Sequence, residues 1–219
     1  MQTSSVCVEN GSMAAAIKTS AAHLHPPGMH ALIKRRTSDL HRQLDSAPAL
    51  LALMRPGLEL PSYAAILQRF VAAYACVEPL LGRLAPAKPL RLPDYKPRLP
   101  ALRADLAVLP PAAAGAKKAP LELPSGVDAT AHYLGLRYVL EGSTQGARLI
   151  SARLEANLPQ LRAGCFAYWQ LQREAAADWP SLCACLEDVK PDQAEDSLRA
   201  AEAAFSIFID AFLAAEPTP

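Results

Sequence analysis

Residues 133–150, YLGLRYVLEGSTQGARLI, decide how the chain is read. They predict the middle of a long helix carrying Gly142 and Gly146 one turn apart, with Ser143 and Ala147 beside them. Each of these glycines costs a helix interior roughly 1 kcal/mol relative to alanine, so the missing side chain must serve something. A spacing of four residues puts both on one face. Without Cβ atoms, that face lets another backbone or a flat ligand come to contact distance. At this point close helix packing and contact with a ligand plane account for the pair equally well.

Working outward, Asp128 suits the N-cap of this helix, which should run to about 157 after a loop over 110–127. Pro159 and Gly164 separate it from a helix at about 165–188, broken or kinked at Pro180. A last helix, at about 192–214, should bury Leu198, Phe205, Phe208, Ile209 and Phe212. Upstream, Leu32, Ile33, Leu40 and Leu44 mark an apolar stripe on a helix at about 29–46. A short helical piece, Ala49 to Met54, precedes a long helix with Pro61 in its first turn and Pro79 as an internal bend. Its buried face is Tyr63, Ile66, Leu67, Phe70, Tyr74, Val77 and Leu81. A proline-rich connection over 85–100 leads into a helix at about 99–109. No stretch alternates as a strand does, so the fold expected is all-α, a bundle of about seven or eight helices in one domain over 29–215. Residues 1–28 read as a mobile N-terminal extension, with His23 and His25 in solvent.

At 219 residues, 51% hydrophobic and 20% charged, the chain can bury a real core. Its net charge of +1 offers no basic excess for nucleic acid or an anionic membrane surface, so neither partner is expected. Five cysteines, an odd number without a CxxC pair, point to a reducing compartment and away from a disulfide framework or a zinc site. No apolar run reaches the ~18 residues of a spanning helix, and the reading is a soluble, cytoplasmic protein.

On the first helix Lys34, Thr37, His41 and Asp45 lie along one stripe bordering the apolar face. A half-buried His41 with Asp45 one turn on is the arrangement that fixes a metal-ligating histidine, since the carboxylate takes the Nδ1 proton and leaves Nε2 free. Taken alone, a polar border on an amphipathic helix is the more frequent meaning of such a stripe. His132 is the rival ligand, but it lies about 15 Å of helix rise before Gly142 and reads as a surface or satisfied histidine.

The two stretches together, LIKRRTSDLHRQLD at 32–45 and YVLEGSTQGARLI at 138–150, resemble the haem oxygenases, in particular the bacterial ones associated with bacteriophytochromes. The likeness runs from about 30 to 213. It implies haem held between a proximal helix bearing the axial ligand, His41, and a kinked distal helix whose Gly142, Ser143 and Gly146 contact the porphyrin. Lys34 and Thr37 would lie near the haem edge, Asp45 would partner the histidine, and Lys34 and Tyr138 would bind propionates with their polar ends facing solvent. Ser143 stands where some members carry aspartate, and Ala147 where a second glycine is frequent. The activity implied is cleavage of haem to biliverdin, CO and iron with O2. Electrons would come from an external donor such as a ferredoxin or reductase, and the product could pass to a bacteriophytochrome. A haem carrier of the same fold is the main alternative. A di-iron oxidase is disfavoured because no glutamate stands three residues before any of the five histidines. A thiaminase-like enzyme would need a nucleophile from Cys76, Cys165, Cys183 or Cys185, and none is paired with a base in the sequence.

Overall fold

The computed structural model describes residues 28–112, 119–163 and 165–213. The extension read over 1–28 falls outside them except for Gly28, as do Cys7, His23 and His25. The described residues form α-helices and short 3-10 turns, with no strand among them. In chain order the helices are α1 (Met29–Arg36), α2 (Ser38–Asp45), α3 (Pro48–Ala52), α4 (Leu60–Leu84), α5 (Leu99–Ala107), α6 (Ala129–Gly142), α7 (Ala147–Asn157), α8 (Ala167–Ala175), α9 (Trp179–Leu186) and α10 (Ala194–Leu213).

Several of these helices are one rod locally tightened. At Thr37, between α1 and α2, the backbone relaxes to φ −99°, ψ 6°. Even so Thr37 N donates to Ile33 O at 2.9 Å and His41 N to Thr37 O at 2.9 Å. The single helix expected over 29–46 is therefore present with a one-residue irregularity. Between α6 and α7, Ser143–Gly146 tightens to a 3-10 turn while Gly142 (φ −58°, ψ −36°) and Gly146 (φ −84°, ψ −13°) keep right-handed helical angles. Two hydroxyls sit at that tightening, Ser143 Oγ donating to Leu140 O at 2.7 Å and Thr144 Oγ1 to Glu141 O at 2.6 Å. Such back-bonding competes with regular i→i−4 bonds and bends helices. The break expected at Pro180 lies just upstream, as a 3-10 turn at Ala176–Asp178, and Pro180 sits in the first turn of α9 where its missing N–H costs nothing.

The apolar stripes read from sequence point inward: all seven residues named on α4 and all five on α10 are buried. Helix starts are secured by carboxylates, which satisfy free N–H groups and suit the positive end of the helix dipole. Asp128 accepts from Ala131 N at 2.8 Å at the start of α6, as expected. Asp105 accepts from Ala167 N at 2.7 Å and Tyr168 N at 2.9 Å at the start of α8, and Glu187 from Met29 N at 3.0 Å and His30 N at 3.1 Å at the start of α1. Together with its 3-10 extension, α4 (Leu60–Ala87) is long and apolar enough by composition to cross a membrane, which the sequence reading had not credited to any segment. More than half of its most apolar window, 56%, is buried against other helices, which is the signature of a core helix.

The central packing is α6 against α10, and Gly135 makes it possible. A Cβ added there would stand 2.2 Å from the Ser197 carbonyl oxygen and 2.8 Å from the Ala200 Cβ. Ser197 Oγ also donates to Ala131 O at 2.6 Å across the same contact. Gly135→Ala must therefore push two helices apart, and overpacking of about 1 to 3 kcal/mol outweighs the roughly 1 kcal/mol gained in helix propensity. The expected result is a melting temperature lowered by several degrees, read by circular dichroism.

Candidate functional site

The polar stripe of the first helix is present, and its members differ in exposure. Lys34 is exposed, whereas Thr37 is buried and its hydroxyl is committed to Ile33 O at 2.8 Å. His41 Nδ1 lies 2.8 Å from Asp45 Oδ2, with side chains 61% and 64% exposed. The half-buried imidazole expected from sequence is thus mostly exposed. The reason is that α2 has no fully buried residue and rests its apolar side on the core through the partly buried Leu40 and Leu44. The His41 ring stands beside Phe205 of α10, with centroids 5.8 Å apart. In the neutral imidazole a proton at Nδ1 leaves the lone pair at Nε2.

Neither backbone geometry nor helix packing explains the glycines across the fold. Their φ values are negative, and among the described residues positive φ occurs only at Gly57 and Gly126. A Cβ at Gly142 would meet Cη2 and Cζ3 of Trp179 at 3.7 Å, and one at Gly146 only Cδ1 of Ile150 in its own helix at 3.8 Å. Both are ordinary van der Waals distances. The close-packing role belongs to Gly135, one of three glycines in the stretch and the one whose role the sequence did not reveal.

Tyr138, one turn before Gly142, is 9% exposed, so most of its ring is buried. It packs 5.5 Å from Trp179 and 5.9 Å from His30, and His30 lies 5.7 Å from Trp179. Burial first, and the neighbouring Cys183 second, push the phenol above its ordinary value. His30 shares a helix face with Lys34, and Tyr138 shares one with Gly142. This three-ring cluster is therefore where the Lys34–His41 face of α1 and α2 meets the glycine face of α6. The two are also linked through α10, against which both α2 and α6 pack.

Beneath the glycine segment lies a buried polar network absent from the sequence reading. Glu141 Oε2 accepts from Arg98 Nη2 at 3.0 Å, and its Oε1 is 2.9 Å from Arg137 Nη2, with all three side chains 0–1% exposed. That second pair is held by charge without hydrogen-bond alignment. Arg137 Nη1 donates to Tyr133 Oη at 2.8 Å. Gln172 accepts from Arg98 Nε at 2.7 Å and donates to Ser143 Oγ and Tyr168 Oη, both at 3.1 Å. The Arg137–Glu141 spacing of four inside an apolar run was the one available signal, since a charged pair at i,i+4 that cannot reach solvent must find partners in the core.

His132 is 4% exposed and its Nδ1 has no hydrogen-bond partner, so it is neither at the surface nor satisfied. Burial holds its pKa below the ordinary 6.5, an effect partly countered by Asp196 of α10. The unfolded chain therefore takes up this proton first. Stability from neutral His132 is complete above about pH 6.5 and is lost as pH falls from there toward the lower folded value. His132→Phe should make the melting temperature less sensitive to acidification between pH 7.5 and 5.5, about the ordinary His value of 6.5. A wild-type slope in the variant would contradict this.

Cys76, Cys165, Cys183 and Cys185 form no disulfide among the described residues, and all are buried except the partly buried Cys183. A cavity of about 420 Å³ lies elsewhere, between α4 and residues 94–99, lined by Glu78, Gly82, Lys88, Tyr95 and Tyr133 among others. It shares no residue with the stripe or the glycine segment.

No family model matches the chain. It is 34% identical over 128 residues to a haem oxygenase of Xanthomonas campestris pv. campestris (strain 8004), a match covering 58% of this chain and 73% of that protein. Its fold is similar to the structure of the haem oxygenase from Leptospira interrogans, with a TM-score of 0.60 at 15% identity over 85% of this chain and 98% of that one. The all-α bundle is thus the haem oxygenase fold, and with that level of identity over most of a relative's length the chain belongs to the haem oxygenase family.

Proposed function

We propose that this protein cleaves haem to biliverdin, CO and iron, drawing electrons from an external ferredoxin or reductase, and that its site is formed by His41 and the Gly142–Gly146 segment. The observation that carries this reading is the pair of glycines that neither backbone nor helix packing requires. A surface kept free of Cβ atoms at a helix cost of roughly 1 kcal/mol each fits a flat macrocycle. The donor set fits as well, since Asp45 fixes His41 in the tautomer whose Nε2 can bind iron.

Bound haem would supply the iron that binds O2 and the ring that is oxidised. The chain's part is positional. His41 would hold the iron as a neutral imidazole, a ligand that does not push electron density toward O–O cleavage as a thiolate does. Gly142 and Gly146 would admit the macrocycle to the helix backbone and limit the room for bulk water on that side. The exposed Lys34 ammonium suits a carboxylate at the rim. Tyr138 is held between the His30 and Trp179 rings while Lys34 is exposed, so Lys34 is the stronger of the two assignments. We assign the protein to the bacteriophytochrome-associated type on the two sequence motifs, with biliverdin passing to such a receptor.

Incubation with hemin and ascorbate, or a ferredoxin system, under air tests the reading. The expected result is loss of the Soret band, biliverdin in the extract and CO trapped by a haem-protein reporter. A stable Soret band with no CO would identify a carrier.

A further inference from the structure

We propose that Gln172 is the positioning residue that holds the glycine segment in place through the Ser143 hydroxyl. The inference rests on reading that segment as the wall of the haem site, but its own evidence is independent of haem. Gln172 is 1% exposed and uses both ends of its amide. Arg98 Nε donates to Oε1 at 2.7 Å. A guanidinium has no acceptor, so this contact fixes which end is oxygen and aims the NH2 at Ser143 and Tyr168.

Ser143 must then accept from Gln172 Nε2 at 3.1 Å, and its single proton is spent on the Leu140 carbonyl at 2.7 Å, which can only accept. Ser143 therefore has no proton to give to a ligand. It meets one only as an acceptor, and its principal work is mechanical.

The far end of the link returns to the same segment. Arg98 also pairs with Glu141, two residues before Ser143, at 3.0 Å. Glu141, Arg98, Gln172 and Ser143 thus form a closed brace across the point where α6 tightens into the 3-10 turn at Ser143–Gly146. The brace anchors the turn to α8 and to the start of α5 from the side opposite solvent.

Hydrogen–deuterium exchange on the ligand-free full chain tests this, using Gln172→Leu, Gln172→Glu, Ser143→Ala and the double variant Ser143→Ala/Gln172→Glu. Gln172→Glu keeps the volume and the acceptor for Arg98 and replaces the NH2 that donates to Ser143 and Tyr168 by an oxygen, so it serves even if Gln172→Leu folds poorly. Loss of one net hydrogen bond should speed exchange over 143–147 about fivefold, with residues 129–140 unchanged. The double variant should be no faster than the single ones, because both remove the same link. Unchanged exchange over 143–147 in Gln172→Glu, or additive effects in the double variant, would overturn the proposal. Hemin affinity on the same samples separates the two readings: a wild type that takes up no hemin overturns the functional reading and leaves the brace standing.

Discussion

His41→Ala is expected to fold as the wild type does and to lose the axial-imidazole spectrum of its hemin complex. The side chain is 61% exposed and held mainly by Asp45, itself 64% exposed, so its removal leaves no buried group unpaired. Surface changes of this kind stay within about 0.5 kcal/mol. The effect on hemin should be far larger. Loss of a partner behind a metal-ligating histidine costs roughly 10- to 100-fold in affinity, and loss of the ligand itself should exceed that. Added imidazole should restore the spectrum in part. An unchanged spectrum in His41→Ala would return the ligand role to another histidine, with His30 the nearest to the glycine face.

The second large effect is expected at Gly142 and Gly146. A Cβ at either site meets protein only at ordinary contact distance, so Gly142→Ala or Gly146→Ala should leave the melting temperature level or raise it, with up to about 1 kcal/mol of helix propensity recovered. Hemin binding or turnover should nevertheless fall steeply, because the new side chain would occupy the face left for the macrocycle. Gly135→Ala should do the reverse, lowering stability through its clash with Ser197. Comparing the three variants by thermal melts and single-turnover spectra separates a glycine kept for a ligand from one kept for a helix. A large fall in melting temperature at Gly142→Ala with haem chemistry intact would make that glycine structural.

Much of the fold was legible because periodic apolar positions carry their own direction, as on α4 and α10, and because Asp128 announces a helix start. What was illegible depended on partners distant in sequence. Gly135 looks like any glycine in an apolar run until Ser197 and Ala200 arrive from α10. Arg98 emerges from a proline-rich connection, and nothing local says that it will be buried against Glu141 and Gln172. The exposure of His41 and the burial of His132 were misread for a related cause. Local spacing fixes which residues share a face but not how deeply the neighbouring helices cover it. Within the candidate site, the spacing of His41 and Asp45 translated directly into a 2.8 Å contact, since both lie on one helix. The relation of that helix to the glycine segment runs through α10 and the His30–Tyr138–Trp179 cluster, and only tertiary structure supplies it.

The most direct test of the account is the position of the iron in crystals of the hemin-bound protein, located by its anomalous scattering. The account predicts one iron within bonding distance of His41 Nε2, with Asp45 still on Nδ1 and one face of the macrocycle against the backbone of Gly142–Gly146. An iron bound to His30 or His132, or a macrocycle seated in the cavity beside Glu78 and Tyr95, would contradict it.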